Sequence, residues 1–274
     1  MKIAVTGANS SVGQNLLNSL KSNEEVSVIA GVRSERAAKS LPDSPRIEAK
    51  LISYQDVDKL SEDLNGADCV LHLAGILIEN KGSSYQEANV DATAAVLDAA
   101  KRNNASHFVF ISVVGADANS TNAYFRSKGQ AEELVKRSGL SASIIRTPIL
   151  LGPNTAGASS IAAAASQPKA KLLGGGTYLM RPLDIDDLNL AIMDCFNKSK
   201  AGAALYELVG PDAISYSNLI QKMASTADFY CPRLSHWPEQ AVKSLTDKIG
   251  GYSVDDIMLI GSSLGGFYAT YLSD

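Results

Sequence analysis

Three groups of residues in this sequence have types and spacing that could do chemistry. The first is Tyr124-Phe125-Arg126-Ser127-Lys128, a tyrosine and a lysine four residues apart. On a helix that spacing puts both side chains on one face. An ammonium beside a phenol favours the phenolate and lowers its pKa. Such a tyrosine can exchange a proton with a substrate oxygen while a nicotinamide exchanges hydride with the neighbouring carbon. A surface tyrosine and a surface lysine would give the same spacing, so the pair needs a context. The second group, Gly7-Ala8-Asn9-Ser10-Ser11-Val12-Gly13, supplies one. Gly7 permits a tight turn, Gly13 permits close helix–strand packing, and a helix opening at Ser11 and Val12 offers free N–H groups to a pyrophosphate. Ser10 stands where the middle glycine of such a turn is usual, which makes backbone approach there less free. The third group is Gly261-Ser262-Ser263-Leu264-Gly265, the G-x-S-x-G of a nucleophile elbow.

These groups sit between elements that could hold them. Lys2–Thr6 is a short apolar run ending at the first glycine, and Val12, Leu16, Leu17 and Leu20 recur at helical spacing behind it. Further strand-like runs are Val26–Val32, Cys69–Gly75, His107–Ser112 and Leu205–Gly210, separated by helical patterns. Strands alternating with helices predict a parallel sheet covered on both faces. Leu73, Ala74 and Gly75 are small or compact residues at a strand end, where a flat ring or ribose could approach the backbone. His72, inside that strand, reads as a packed histidine rather than a catalytic one.

An NAD site of this kind carries an acidic residue about 20 residues past the glycine turn, to bond the ribose hydroxyls. Arg33 occupies that position, with Ser34 and Arg36 nearby. An arginine suits a 2′-phosphate, so NADP(H) is expected in preference to NAD(H); the plainer alternative is a solvated arginine at a strand end. Asp184-Ile185-Asp186-Asp187 precedes an apolar helical run and is expected to cap it. It is not expected to bind a metal.

In this order, TGANSSVG (Thr6–Gly13), HLAG (His72–Gly75), Asn89-Val90, FVFISVVGA (Phe108–Ala116), YFRSK (Tyr124–Lys128), IIRTPILLGP (Ile144–Pro153) and RPLDIDDL (Arg181–Leu188) resemble an extended or atypical short-chain dehydrogenase/reductase over about residues 1–225. The group resembled most is that of the nucleotide-binding accessory subunit of respiratory complex I and its bacterial relatives. The resemblance implies an α/β fold, a Rossmann-like doubly wound parallel sheet over 1–150, with a partial substrate lobe over 151–225. It implies that Tyr124 and Lys128 are catalytic, that Thr147-Pro148 lie near the nicotinamide end, and that Asn89 orders the helix beside the site. It also implies association with a respiratory complex. A Ser or Thr at the end of the strand before the tyrosine polarises the substrate oxygen in active members. Ser112 stands there, although Val113 or Val114 could align with that position. The resemblance therefore supports cofactor binding more strongly than turnover.

Residues 226–274 have another character. GSSLGGFYATYLSD, starting at Gly261, resembles a small bacterial α/β-hydrolase esterase. That fold needs an acid and a histidine after the serine. His72, His107 and His236 all precede Ser263, and an HGG-type oxyanion loop is missing. Ser263 is thus expected to be an orphan nucleophile, in a chain that joins a truncated reductase to an internal piece of an esterase.

Composition narrows the partners. The chain has 274 residues, 25 Lys plus Arg against 29 Asp plus Glu, and a net charge of −4. Such a balance argues against nucleic acid as a partner. No apolar run is long enough for a membrane span, and Met1–Thr6 has no signal-peptide pattern, so a cytoplasmic location is expected. Cys69, Cys195 and Cys231 lack metal-ligand spacing. Three functions stay open: an NADP(H)-dependent oxidoreductase acting on an unknown carbonyl or hydroxyl substrate, a cofactor-binding regulator or assembly subunit without turnover, and a serine esterase through Ser263.

Overall fold

The computed structural model describes residues 1–167, 172–197 and 201–225. The segment 226–274, with Ser263 and its glycines, lies outside the described residues. The apolar run at the N-terminus forms β1 (Lys2–Thr6), whose Ile3, Ala4 and Val5 are fully buried. It pairs in parallel on one side with β2 (Ser27–Val32), from Lys2 opposite Ser27 to Thr6 opposite Gly31. A helix α1 (Ser11–Leu20) connects the two. Ser10 is its N-cap, accepting a hydrogen bond from the Gly13 N–H at 3.1 Å, and Leu16, Leu17 and Leu20 face the core. The short helix α2 (Glu35–Ala38) leads to β3 (Ile47–Leu51), and α3 (Val57–Asp63) leads to β4 (Cys69–His72). β4 lies on the other side of β1, also parallel.

Residues Gln86–Asp91 form a π-helical turn that continues into α4 (Ala92–Arg102). β5 (His107–Val113), α5 (Ala123–Arg137) and β6 (Ala142–Thr147) complete the series. The sheet has seven strands in the order 203–207, β6, β5, β4, β1, β2, β3. The chain reverses direction of growth at β1 and β4, which is the switch point where open α/β sheets bind ligands. Phe108, Phe110, Val70 and Ala4 pack with Leu60 of α3, Leu64 just after it and Val96 of α4 in one cluster. The sequence reading found β1, β2, β4, β5 and the strand near 205. It did not separate β6, or β3, in which Glu48, Ala49 and Leu51 are exposed.

The described chain divides into two compact units. The first holds Met1–Arg146 and Cys195–Tyr206. Residues 195–206, expected in the lobe, fall here because Ala203–Glu207 is a strand of the main sheet. The second unit holds 147–194 and 207–225. In it, Leu150–Leu151 pairs in parallel with Leu183–Asp184, and Leu179–Met180 pairs antiparallel with Ile214–Ser215. Helices Ala156–Ala165 and Tyr216–Ser225 enclose a small core of Leu151, Ile161, Leu219 and Ile220. The Asp184 side chain accepts from the Asp186 N–H at 2.8 Å, at the start of helix Ile185–Asn197, so the aspartate cluster caps as expected.

Two histidines are built into the first unit. His72 is fully buried, and burial pushes its pKa down to about 3. His107 lies between Ser141 and Ser143, and burial pushes it down to about 4. Both stay neutral in the fold at a pH where the unfolded chain, titrating near 6.5, takes up protons. Stability is therefore full above about pH 6.5 and falls as pH drops toward 4. His72 alone is expected to remove about 2 kcal/mol between pH 7 and pH 5. Urea unfolding at the two pH values checks this; equal midpoints would show that the imidazoles are not held neutral.

Candidate functional site

The carboxyl ends of β1, β2, β3 and β4 open into a cleft of about 840 Å³. Gly7, Asn9, Ser10, Arg33, Leu73, Ala74 and Gly75 line it, as the sequence reading expected of a cofactor site. Gly7 has φ +75°, and a Cβ there would lie 2.8 Å from the Ala74 nitrogen. The turn after β1 therefore lies directly against the turn after β4, and a larger residue would fill the floor of the cleft. Gly13 does the matching work behind it: a Cβ would fall 2.3 Å from the Ala8 carbonyl oxygen. With Gly13 the helix α1 can start close to β1, and Ser11 and Val12 form its first turn, where backbone N–H groups point outward. This cradle fits a diphosphate. Ser10 does not obstruct it; as the N-cap it turns its hydroxyl to Gly13.

Arg33 is exposed on the cleft wall directly after β2. Ser34, next to it, caps α2 through the Ala37 N–H. The opposite walls contain residues that the sequence reading missed. Ile52, Ser53, Tyr54 and Gln55 follow β3, Glu87, Ala88 and Asp91 come from the π-helical turn, and Ala92 begins α4. Neither group carries a sequence signal of its own. The first depends on an unrecognised edge strand, and the second on one extra residue per turn within an otherwise helical pattern.

Asn89 sits behind this wall, almost fully buried. Its Oδ1 accepts from the Ile76 N–H at 2.8 Å, and its Nδ2 donates to the Ser127 hydroxyl at 2.9 Å. It thus ties the strand end lining the cleft to α5. That helix starts at the right place because Asn122 caps it, accepting from the N–H groups of Tyr124 and Phe125. The Tyr124 ring packs against Tyr85 at 5.8 Å and Phe125 at 5.6 Å between centroids.

The electrostatics of the Tyr–Lys pair differ from the expectation. Burial, helped by the neighbouring Tyr85, pushes the Tyr124 phenol up to about 12. Lys128 is buried too, and its ammonium donates to the Ile111 carbonyl at 2.8 Å while lying 4.2 Å from the Phe110 ring centre. Burial brings Lys128 down to about 8, against the opposing pull of Glu132. The lysine charge is thus directed to β5, and the tyrosine is held as the neutral phenol, a proton donor. Ser112 is also directed elsewhere. Its hydroxyl donates to Glu132 at 2.5 Å, and the same carboxylate receives Nε and Nη2 of Arg146 at 2.9 and 2.7 Å. Thr147 ends β6 and Pro148 follows it, both in the second unit.

A parallel sheet with a glycine turn at the carboxyl end of its first strand and a cleft at its switch point defines a dinucleotide-binding α/β protein. The chain belongs to the NAD(P)H-binding family, whose model matches residues 7–172. A second model, the Uncharacterised protein family (UPF0227), matches residues 211–274, which sets the C-terminal segment apart. Among curated proteins, NADH dehydrogenase [ubiquinone] 1 alpha subcomplex subunit 9, mitochondrial, of Arabidopsis thaliana is 26% identical over 69% of this chain and 48% of that protein. The chain thus spans about half the length of that relative. An uncharacterized sugar epimerase of Bacillus subtilis is 26% identical over 53% of this chain and 71% of its own. Among solved structures, UDP-glucuronic acid 4-epimerase of Bacillus cereus, in complex with UDP-glucuronic acid and NAD, superposes with a TM-score of 0.70 at 22% identity, covering 82% of both chains. That likeness shows the fold. The resemblance to extended short-chain dehydrogenases/reductases stands on these matches. Among the described residues, no helix is long and apolar enough to cross a membrane.

Proposed function

We propose that this protein binds NADP(H), in preference to NAD(H), in the cleft between β2 and β4, and interconverts a carbonyl and a hydroxyl group. The observation that carries this reading is Arg33 on the cleft wall, at the strand end where an NAD site would carry a carboxylate. Gly7, Asn9 and Ser10, with the first turn of α1 at Ser11–Gly13, would hold the diphosphate. Leu73, Ala74 and Gly75 would face the ribose and ring beyond it. When bound, the nicotinamide supplies hydride to a carbonyl carbon. Tyr124, neutral at physiological pH, gives its proton to the carbonyl oxygen, and Lys128 follows one turn along α5 with its ammonium held on the Ile111 carbonyl. Ser112 is committed to Glu132, so in this reading it fastens α5 to β5. Thr147 and Pro148 remain the residues proposed for the nicotinamide end.

Fluorescence titration with NADPH and NADH tests the reading. NADPH is expected to bind more tightly, and Arg33→Ala to weaken NADPH by roughly 10- to 100-fold, the worth of a charge-assisted hydrogen bond, while leaving NADH unchanged. Equal affinity for both nucleotides, or none for either, would overturn it.

The bond from Ser112 to Glu132 also favours a second reading, a cofactor-binding regulator or assembly subunit that does not turn over. NADPH binding without oxidation across a panel of carbonyl compounds would select it. An esterase acting through Ser263 would instead hydrolyse p-nitrophenyl acetate, with loss in Ser263→Ala.

A further inference from the structure

A continuous line of buried hydrogen bonds crosses the first unit from the cofactor turn to α5. The Thr6 hydroxyl, on the residue before Gly7, lies 2.6 Å from His72 Nδ1. His72 Nε2 lies 3.1 Å from the Thr93 hydroxyl, and Thr93 donates to the Asn89 carbonyl at 2.7 Å. The Asn89 amide then donates to Ser127, and Ser127 donates to the Tyr124 carbonyl at 2.8 Å. Thr6, His72 and Thr93 are completely buried, and Asn89 and Ser127 nearly so.

The proton positions along this line follow from one end. A carbonyl oxygen only accepts, so the Thr93 proton is spent on Asn89. Thr93 must then accept from His72, which places the imidazole proton on Nε2. In a neutral imidazole Nδ1 is then bare and takes the Thr6 proton. Reversing His72 to the other tautomer would set two lone pairs against each other at Thr93. Three rings surround the imidazole: Phe110 stacks on it at 5.8 Å, Phe108 lies tilted at 6.3 Å, and Tyr54, from the cleft wall, meets it edge-on at 6.3 Å. At the far end the line is tightly fitted as well, since a Cβ on Gly75 would lie 2.9 Å from Asn89 Oδ1.

We infer that His72 is a positioning residue: as a neutral imidazole protonated on Nε2, it joins the turn that receives the cofactor to the helix that carries Tyr124, so that occupancy of the cleft steadies α5. The coupling rests on the cofactor reading above; the tautomer does not.

Two measurements on the full chain test it. Nitrogen-15 NMR of the histidine side chains should show His72 neutral with its proton on Nε2; a proton on Nδ1, or an imidazolium at pH 6, would overturn the line itself whether or not any nucleotide binds. Hydrogen exchange with and without NADPH tests the coupling. In the wild type, NADPH should slow exchange of amides in residues 123–129 at least tenfold. Thr93→Val breaks the line while keeping size, and His72→Leu removes it. Both should bind NADPH within about threefold of wild type yet lose that slowing, and His72→Gln, which restores a donor toward Thr93, should recover part of it. Undiminished slowing in folded Thr93→Val would overturn the coupling and leave His72 a packing residue, even if His72→Leu fails to fold. Absence of nucleotide binding by the wild type would overturn the cofactor reading and the coupling together, leaving the tautomer result to stand by itself.

Discussion

Replacing Arg146 by alanine should cost about 3–5 kcal/mol of stability, the range for stripping one partner from a buried ion pair. Glu132 is only 1% exposed, and it accepts two hydrogen bonds from the guanidinium besides the one from Ser112. Without Arg146, the core carboxylate loses its hydrogen-bonded cation and keeps the Ser112 hydroxyl and the electrostatic pull of Lys128. The Ala116 carbonyl, which Arg146 Nη2 reaches at 2.8 Å, loses its donor as well. Glu132→Leu combined with Arg146→Met should be less damaging than the two single losses added, since both members of the pair go together and Lys128 keeps the Ile111 carbonyl. Urea unfolding of the two single variants and the double variant measures this. An Arg146→Ala midpoint within about 1 kcal/mol of wild type would mean that the pair behaves as a surface ion pair.

The second large effect is expected at Gly13. Alanine there puts Cβ 2.3 Å from the Ala8 carbonyl oxygen and 2.7 Å from its carbon. Both are backbone atoms of a buried residue and cannot turn aside. The start of α1 must lift, at a cost of about 1–3 kcal/mol or more for such overpacking, and the N–H cradle moves with it. Gly13→Ala should therefore lower NADPH affinity by two orders of magnitude or more, on the order of 3 kcal/mol. Gly66→Ala is the contrast. Gly66 has positive φ, at +79°, and a Cβ there meets nothing within 4 Å. It should cost roughly 1–2 kcal/mol of backbone strain and leave nucleotide affinity alone. Comparable affinity losses in both variants would show that general destabilisation, and not the cradle, governs binding.

The glycine turn and the small residues after β4 were legible in the sequence because their roles are local. A tight turn and a close approach leave their mark on the residues at the turn itself. β3 was not legible, because Ile47–Leu51 is an edge strand whose exposed positions carry no apolar run. The Tyr–Lys spacing gave the helix face correctly but could not give the surroundings. Tyr85, thirty-nine positions earlier, covers the Tyr124 ring, and β5 supplies the carbonyl that draws Lys128 away. The Ser112–Glu132–Arg146 group likewise comes from β5, α5 and β6, three elements whose packing no spacing rule encodes. The π-helical turn was hidden for a different reason. One added residue in a helix does not disturb the apolar pattern enough to be seen, yet it brings Glu87 and Asp91 to the cleft and Asn89 to Ser127.

The strand at 203–207 has a consequence for how this protein is made. The chain leaves the main sheet after β6, contributes residues 147–194 to the second unit, and only then returns with the strand at 203–207. During synthesis, β6 must wait with one row of N–H and C=O groups unpaired while some sixty further residues emerge, about 3–12 s at ordinary elongation rates. A nascent chain stalled in that interval would offer a ready template for a neighbouring chain to pair with. A chaperone that shields sheet edges would act on this protein between those two points, after the residues that line the cleft have emerged.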